Sequence, residues 1–302
     1  MTGEFKALPL PVETMFRRTR YFEIDSVKAG ARYAIWVSTP AAYEQKPDQA
    51  FPVIYTPDGN AAALTAAGLA NAGAFDPINP VQSSIQVSVG YTGEDIARAL
   101  AVRARDLLPP GEFLPPDVER DMPQYVAMGI LDQAGADLYL HNLKNPAADR
   151  FLAFLADELH PFIAANYRVQ ADDVGLFGHS YGGLFATYAA LQPTSVFRNF
   201  GASSPGIALE KSAVFRMHAD AVANGGVSER RLLMMCATRE LTVPSLYQPL
   251  VGGGTIEFIR MASATPLKGL QFSSRLIEHE SHVSVYMPAM FEYLRQFYPA
   301  KA

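Results

Sequence analysis

A serine between glycines is the residue in this sequence best suited to nucleophilic chemistry. Ser180 lies in the segment Gly178–Gly182, which reads Gly-His-Ser-Tyr-Gly and fits the pattern Gly-x-Ser-x-Gly. In that pattern the serine occupies a sharp turn from a strand into a helix, with its hydroxyl exposed at the edge of a sheet. The flanking sequence has this order, because the apolar run Val174–Phe177 precedes the turn and the helix-compatible run Leu184–Leu191 follows it. The segment therefore predicts Ser180 as a nucleophile rather than a serine in an ordinary turn.

A serine hydroxyl needs a base to remove its proton, and three histidines follow Ser180 in the chain. His218 lies in a run of helical pattern, and His279 ends a strand-like run. His282 lies in the loop before the last predicted helix, from which a side chain can reach back over the sheet. We expect His282 to be the base, with His279 as the alternative.

The acid that orients the base is predicted to be Glu240. This residue comes directly after the apolar run Leu232–Ala237, and no aspartate lies between Asp220 and the C-terminus. Because the acid precedes the histidine in this order of catalytic residues, Glu240 is the best candidate. Two alternatives stay open. In the first, Glu240 is a surface acid paired with Arg239. In the second, the site is a Ser–His dyad in which a carbonyl or water orients the histidine.

Two backbone segments are predicted to form an oxyanion hole. The N–H of Tyr181 is the first donor, at a helix N-terminus that favours negative charge. The second donor is expected from the turn after the strand Phe51–Tyr55, at Gly59 or Asn60. Asp58, in the same turn, is expected to be a turn and helix-cap residue.

Metals and disulfides are not expected. The segment Glu278–His282 is rich in acids and histidines, but it lacks both the His-Glu-x-x-His order and a helical pattern. The single cysteine, Cys236, excludes an internal disulfide framework and a cysteine-based zinc cluster. The predicted chemistry also requires no organic cofactor.

The elements that must position these residues follow an α/β pattern. Two runs near the N-terminus, Arg20–Ile24 and Arg32–Val37, mix polar and apolar residues as half-exposed antiparallel strands do. Later runs are mostly apolar, as strands covered on both faces are, and helical periodicities such as Phe151–Ile163 and Val285–Phe297 alternate with them. We predict a mostly parallel, doubly wound central sheet with antiparallel N-terminal strands.

One stretch does not fit this alternation. Residues 106–147 contain six prolines and no clear periodicity, and a loop of this length is usually functional or disordered. We interpret 106–147 as a lid or pocket wall inserted in a single catalytic domain, 1–302, with a passive excursion as the alternative.

Composition excludes several classes of protein. The chain has 302 residues, of which 49 % are hydrophobic and 18 % charged, so it is not disordered. A net charge of −5 gives no general attraction to nucleic acid or to an anionic membrane. The uncharged run Gly59–Phe75 is too short and too polar for a membrane span. Because Met1–Pro9 lacks the apolar core of a signal peptide, a cytoplasmic protein is the default expectation.

Several segments, in the right order, resemble the Putative esterase (esterase D-like) family of α/β-hydrolases, in particular bacterial siderophore trilactone esterases. The segments that carry the resemblance are Phe51–Asn60, Val87–Tyr91, Arg103–Pro109, Gly135–Asp137, Phe151–Ile163, Gly178–Gly182, Ser203–Pro205 and His282–Val285. The resemblance implies the α/β-hydrolase fold, an ester or lactone as small-molecule substrate, and the roles predicted above for Ser180, His282 and Glu240. The run Leu138–Asp149 departs from the family pattern and resembles an insertion.

The resemblance also suggests substrate contacts. Siderophore sites need cations for a catecholate, so Arg103 and Arg105 are candidates, although each could equally be a structural ion-pair partner, for example of Asp106. From their place in the fold, Tyr91 and Ser204 are expected to line the pocket. An acyltransferase on the same scaffold and a non-catalytic ligand-binding protein are the rival functions.

Overall fold

An eight-stranded sheet forms the centre of the computed structural model, which describes residues 16–300. The strands in chain order are β1 (Thr19–Ser26), β2 (Ala31–Ser38), β3 (Phe51–Thr56), β4 (Ile85–Tyr91), β5 (Val169–His179), β6 (Asn199–Ser203), β7 (Arg230–Ala237) and β8 (Leu270–Ile277). Their order in the sheet is β1-β2-β4-β3-β5-β6-β7-β8. Strand β2 is antiparallel to β1 and to β4, and all other neighbours are parallel. The predicted fold class is therefore confirmed. The predicted absence of a signal peptide concerns Met1–Pro9, and these residues lie outside the described part of the chain.

Helices cover both faces of this sheet. In chain order they are α1 (Ala42–Gln45), α2 (Gly59–Ala74), α3 (Ala99–Leu107), α4 (Val118–Ala127), α5 (Gln133–Lys144), α6 (Ala148–Phe154), α7 (His160–Asn166), α8 (Tyr181–Ala190), α9 (Ala213–Ala223), α10 (Arg239–Thr242), α11 (Gly253–Ala264) and α12 (Tyr286–Phe297). A single turn with 3₁₀ geometry, Gly93–Ile96, precedes α3, and π-type turns at Leu155–Leu159 and Gln248–Gly252 precede α7 and α11. Within residues 16–300, every helix is too short or too polar to span a bilayer.

Alternate side chains of each central strand enter two separate cores. In β3, Val53 and Tyr55 face the larger core, which includes side chains of α3, α6 and α8, whereas Ile54 faces the core under α2 and α12. All three side chains are fully buried. Two-sided burial explains why these strands are continuous apolar runs rather than alternating ones.

The strands that follow β3 and the strands that follow β5 are added on opposite sides of this central pair. From β3 it continues through α2 to β4, on one side, whereas from β5 it continues through α8 to β6, on the other. In sheets of this kind, ligands bind at the carboxyl ends of the two strands where the chain reverses its direction of progress. The turn with Gly59 and the turn with Ser180 are the loops that follow β3 and β5.

The segment 106–147 is more regular than the sequence indicated. It contains the end of α3 and the whole of α4 and α5, so the expectation of a stretch without periodic structure was wrong. Four of its prolines lie in the connection between α3 and α4, and only Pro123 lies inside a helix. A small core of Met122, Leu131 and Ala136 joins α4 to α5, and this packing stabilises helices whose sequence signal is weak.

Candidate active site

Ser180 stands at the sharp turn that joins β5 to α8. Its backbone has a φ of 58° and a ψ of −120°, a conformation that is unfavourable for a residue with a side chain and must be held by its surroundings. The turn is so tight that a Cβ on Gly178 would lie 2.0 Å from the carbonyl oxygen of Gly182. Only glycine fits there, and the local structure is the strand–turn–helix arrangement that the pattern predicted.

The loop between β8 and α12 brings His282 to this serine. The Nε2 atom of His282 lies 3.0 Å from Ser180 Oγ. His279, the alternative base, has a side chain that is 94 % exposed. His218 is buried on α9 against the ring of Phe258. The serine and the preferred histidine are thus in contact, and the other two candidates are elsewhere.

Glu240 completes a chain of three side chains. Its Oε1 atom lies 2.6 Å from Nδ1 of His282. An ionised carboxylate can only accept a hydrogen bond, so Nδ1 must carry the imidazole proton. The Nε2 atom of the neutral ring is then an acceptor for the Ser180 hydroxyl. This tautomer is the one that a general base requires.

The carboxylate of Glu240 is buried but well hydrogen-bonded. Its Oε2 atom accepts from Ser204 Oγ at 2.8 Å, from the backbone N–H of Ala237 at 3.1 Å and from the Cys236 thiol at 3.5 Å. Burial raises the pKa of Glu240, but the hydrogen bonds from His282 and Ser204 outweigh burial and the net pKa lies below its ordinary value. The group therefore remains a carboxylate at neutral pH.

Two aromatic rings enclose the imidazole of His282. Tyr247 stacks on it with ring centroids 4.1 Å apart, and His179 lies near it at 4.8 Å. Burial, together with the neighbouring His282, lowers the pKa of His179 to about 4. His179 is therefore neutral at pH 7 and places no competing positive charge beside His282.

The turn after β3 lies against the turn of Ser180. A Cβ on Gly182 would lie 3.1 Å from Cγ of Pro57 and 3.5 Å from a carboxylate oxygen of Asp58. Gly59 and Asn60 begin α2, so their N–H groups have no acceptor within the helix. The same is true of Tyr181, the first residue of α8. The predicted oxyanion donors are thus helix N-terminal N–H groups on the two adjacent turns.

Asn60 fixes the first of these turns to β4. Its side chain accepts from the N–H of Tyr91 at 2.7 Å and donates to the carbonyl oxygen of the same residue at 3.0 Å. Asp58 occupies the N-cap position of α2, but its carboxylate does not cap the helix. It binds Arg103 instead, with two contacts of 2.8 Å, to Nε and Nη2. Asp58 is therefore at the turn and helix-cap position that was expected, and its carboxylate serves Arg103 instead of the helix.

A cavity of about 250 Å³ opens at Ser180 and His282. Part of its wall comes from the segment 106–147, through Leu108, Glu112, Phe113, Pro115, Tyr139 and Leu143. Tyr139 donates to or accepts from the hydroxyl of Tyr181 at 2.8 Å, so α5 is attached to the start of α8. The segment therefore has the position of a pocket wall, although its action as a lid stays a prediction.

Of the four candidate substrate contacts, only Arg103 lines this cavity. Arg105 forms a two-point ion pair with Asp106, at 2.7 and 2.9 Å. Ser204 is fully buried and faces Glu240. Tyr91 lines a neighbouring cavity beside Asn60. Arg105 therefore forms the structural ion pair with Asp106 that was its alternative, and the hydroxyl of Ser204 is bound by Glu240, so neither side chain faces the cavity.

Sequence reasoning missed Tyr247 altogether, and it missed the role of Ser204 and the partner of Arg103. Tyr247 stacks on His282 from an irregular segment with no sequence signal. Ser204 orients Glu240, and its only signal in the sequence was its place in Ser203–Pro205, one of the segments that resemble the family. The pairing of Arg103 with Asp58 joins residues 45 positions apart, which no local pattern can show.

Comparison with protein families gives a match over two thirds of the chain. The model of the family described as "Putative esterase" matches residues 26–232. A siderophore enterobactin esterase of Emericella nidulans is 31 % identical over 187 residues, which are 60 % of this chain and 55 % of that protein. A siderophore triacetylfusarinine C esterase of Aspergillus fumigatus is 30 % identical over 66 % of this chain and 58 % of that protein. The chain thus spans little more than half the length of these curated relatives.

Solved structures share the fold over nearly the whole chain. The siderophore hydrolase EstB of Aspergillus nidulans has a TM-score of 0.72 at 22 % identity, covering 98 % of both chains. The BES protein of Bacillus cereus has a TM-score of 0.70, also at 22 % identity and with 98 % coverage of both. At this identity the likeness concerns the fold.

Proposed function

The chain belongs to the Putative esterase family, and from this premise we propose that it is a serine hydrolase that cleaves a carboxylic ester or lactone of a small molecule. The observation that carries the proposal is the contact of 3.0 Å between Ser180 Oγ and Nε2 of a histidine that Glu240 holds in the required tautomer. No step of the mechanism below uses a metal or an organic cofactor.

The first half of the reaction forms an acyl-enzyme. His282 removes the proton of the Ser180 hydroxyl, and Oγ attacks the ester carbonyl carbon. The negative charge that develops on the carbonyl oxygen is stabilised by the N–H groups of Tyr181 and of Gly59 or Asn60. The tetrahedral intermediate then collapses, and protonated His282 gives its proton to the leaving alcohol.

The second half releases the acid. Water takes the position of the alcohol, His282 removes its proton, and the resulting hydroxide attacks the acyl carbon. Collapse of the second tetrahedral intermediate breaks the bond to Oγ and returns the proton to Ser180. Throughout both halves the Glu240 carboxylate stabilises the positive charge that His282 acquires in each transition state.

The relatives suggest the first substrates to test. Both curated fungal relatives are siderophore esterases by name, so a siderophore ester or trilactone belongs in the substrate panel beside simple esters. The cavity at Ser180 is only partly suited to an anionic siderophore, because its one arginine, Arg103, is paired with Asp58.

The proposal is tested with p-nitrophenyl esters and a fluorophosphonate label. Ser180→Ala is expected to lower kcat by at least about 10⁴-fold, since nucleophile removal disables the whole catalytic unit. Peptide mapping should place the label on Ser180 in the natural protein. Ser263→Ala, at an exposed serine of α11, is the matched control and should keep full turnover. Unchanged turnover in Ser180→Ala would refute the proposal.

A further inference from the structure

A second cavity, of about 380 Å³, lies beside the turn that carries Gly59 and Asn60. Its wall comes from the end of β3, the first turns of α2 and α3, and the side chains of Tyr91, His179 and Tyr286. It shares Leu100 and Arg103 with the cavity at Ser180, whereas Ser180 and His282 line only the latter. The two cavities are therefore neighbours with a common wall.

Two hydroxyl groups of this second cavity have no protein partner. Thr56 Oγ1 and the hydroxyl of Tyr286 are buried and make no hydrogen bond within residues 16–300. Thr56 as a whole is only 2 % exposed. Buried polar atoms without a partner are rare in proteins, and each calls for an explanation. Both residues line the cavity, and a small rotation of each side chain would turn its oxygen towards a hydroxyl or carbonyl group of a bound molecule.

The cavity offers no unpaired charge. Its cation is Arg103, which Asp58 neutralises through two hydrogen bonds of 2.8 Å. Its imidazole is His179, whose pKa burial and the neighbouring His282 lower to about 4. An anionic group would find no free cation there, and a cationic group no free anion. The lining is otherwise largely apolar, with Ala61, Ala62 and Leu100 among its members.

The position of His282 decides which half of an ester can enter the second cavity. The leaving alcohol must receive its proton from Nε2 of His282, so it lies in the cavity that His282 lines. The carbonyl oxygen points to the N–H groups of the two turns. The acyl chain, the third substituent of the carbonyl carbon, is left with the remaining direction, towards Leu100 and Arg103, where the cavity at Ser180 meets the second cavity.

Resting on the proposed function, we infer that the second cavity binds the acyl portion of a neutral ester, an apolar chain of medium length that carries a hydroxyl or carbonyl group for Thr56 and Tyr286. The cavity would thereby select the substrate by its acyl chain, independently of the alcohol in the cavity at Ser180.

The inference is tested by filling the cavity from α2. Thr65 lines the cavity and is half-buried, whereas Leu64, on the same helix, is 59 % exposed and outside its lining. The readout is kcat/KM for p-nitrophenyl octanoate divided by kcat/KM for the acetate. Thr65→Trp should lower this ratio at least about tenfold, because the bulky ring excludes the longer chain. Leu64→Trp should leave it unchanged.

A second pair of measurements tests the polar groups. Tyr286→Phe should lower kcat/KM for a hydroxyoctanoate ester by roughly fivefold relative to the octanoate ester, since one hydrogen bond is lost. If Thr65→Trp does not fold, Ala61→Phe fills the same cavity. An unchanged ratio in the filled variants, with esters still hydrolysed and Ser180 still labelled, overturns the acyl cavity alone. Loss of labelling and hydrolysis in the natural protein instead overturns the proposed function.

Discussion

The hydroxyl of Ser204 donates a hydrogen bond of 2.8 Å to Oε2 of Glu240. Ser204 is fully buried and has a φ of 39°, so the hydroxyl is held at one place behind the carboxylate. The other oxygen, Oε1, is thereby left to meet Nδ1 of His282 at 2.6 Å. Ser204 is a positioning residue that acts on the imidazole through the carboxylate, and it does not contact the cavity at Ser180.

Ser204→Ala should therefore reduce kcat with little change in KM. One hydrogen bond to a charged group is lost, and a decrease of roughly tenfold is expected, equivalent to about 1.4 kcal/mol. Steady-state kinetics on a p-nitrophenyl ester separates kcat from KM. A variant that folds and retains the natural kcat would show that Ser204 does not position the carboxylate.

Glu240→Gln should have a much larger effect. An amide can present its NH₂ group to Nδ1, which favours the tautomer with the proton on Nε2 and prevents that atom from accepting the proton of Ser180. We expect kcat to decrease by roughly 10³–10⁴-fold. Glu278→Gln, at an acid that is 82 % exposed, is the matched control. Retention of more than about a tenth of the natural kcat in Glu240→Gln would support the Ser–His dyad instead.

Arg103→Lys tests whether the turn with Gly59 and Asn60 must be held rigidly. A lysine keeps the positive charge but cannot form the two parallel hydrogen bonds that the guanidinium makes with Asp58. Because preorganised donors lose effect when they move, kcat should decrease by roughly 10- to 100-fold. Arg105→Lys weakens the equivalent pair with Asp106 and should lower Tm while kcat stays within about twofold. Equal effects of the two variants on kcat would contradict this role of Arg103.

The parts of the fold that could be predicted from sequence are those with local signals. Buried parallel strands are apolar runs, and the turn of Ser180 requires glycine at fixed positions, so both were visible. Strand β6 was not predicted, because Asn-Phe-Gly-Ala-Ser is short and has few apolar side chains. Its Gly201 is dictated by tertiary packing: a Cβ there would lie 2.5 Å from the ring of Tyr293 and 2.6 Å from that of Phe177.

The candidate site, too, has parts that could be predicted from local sequence and parts that could not. The order of Ser180, Glu240 and His282 along the chain, together with the strand or loop that carries each, was sufficient to predict that they meet. The pairing of Arg105 with the neighbouring Asp106 was among the alternatives, whereas the pairing of Arg103 with Asp58, 45 positions away, was not predictable. Pairing depends on which buried carboxylate each guanidinium reaches, and this is decided by tertiary packing.

Glu112 joins the wall of the cavity at Ser180 to the start of α9. Its Oε2 atom accepts from Ser212 Oγ at 2.9 Å and from the backbone N–H of Ala213 at 3.2 Å. Burial raises its pKa to about 7, although these hydrogen bonds act in the opposite direction. The fold therefore holds this proton more tightly than the unfolded chain does.

Glu112→Gln should change how stability depends on pH. Because the pKa is raised in the fold, the natural protein loses free energy of unfolding as pH increases from the ordinary carboxyl range to about 7. A glutamine cannot ionise, so Tm of the variant minus Tm of the natural protein should increase by roughly 2–4 °C between pH 5 and pH 8. Glu94→Gln, at an acid that is 92 % exposed, should give a difference that does not change with pH. Thermal melts of the variants and the natural protein at pH 5 and pH 8 measure these Tm differences. If the Tm difference for Glu112→Gln is the same at both pH values, the Glu112 carboxyl is ionised throughout this pH range.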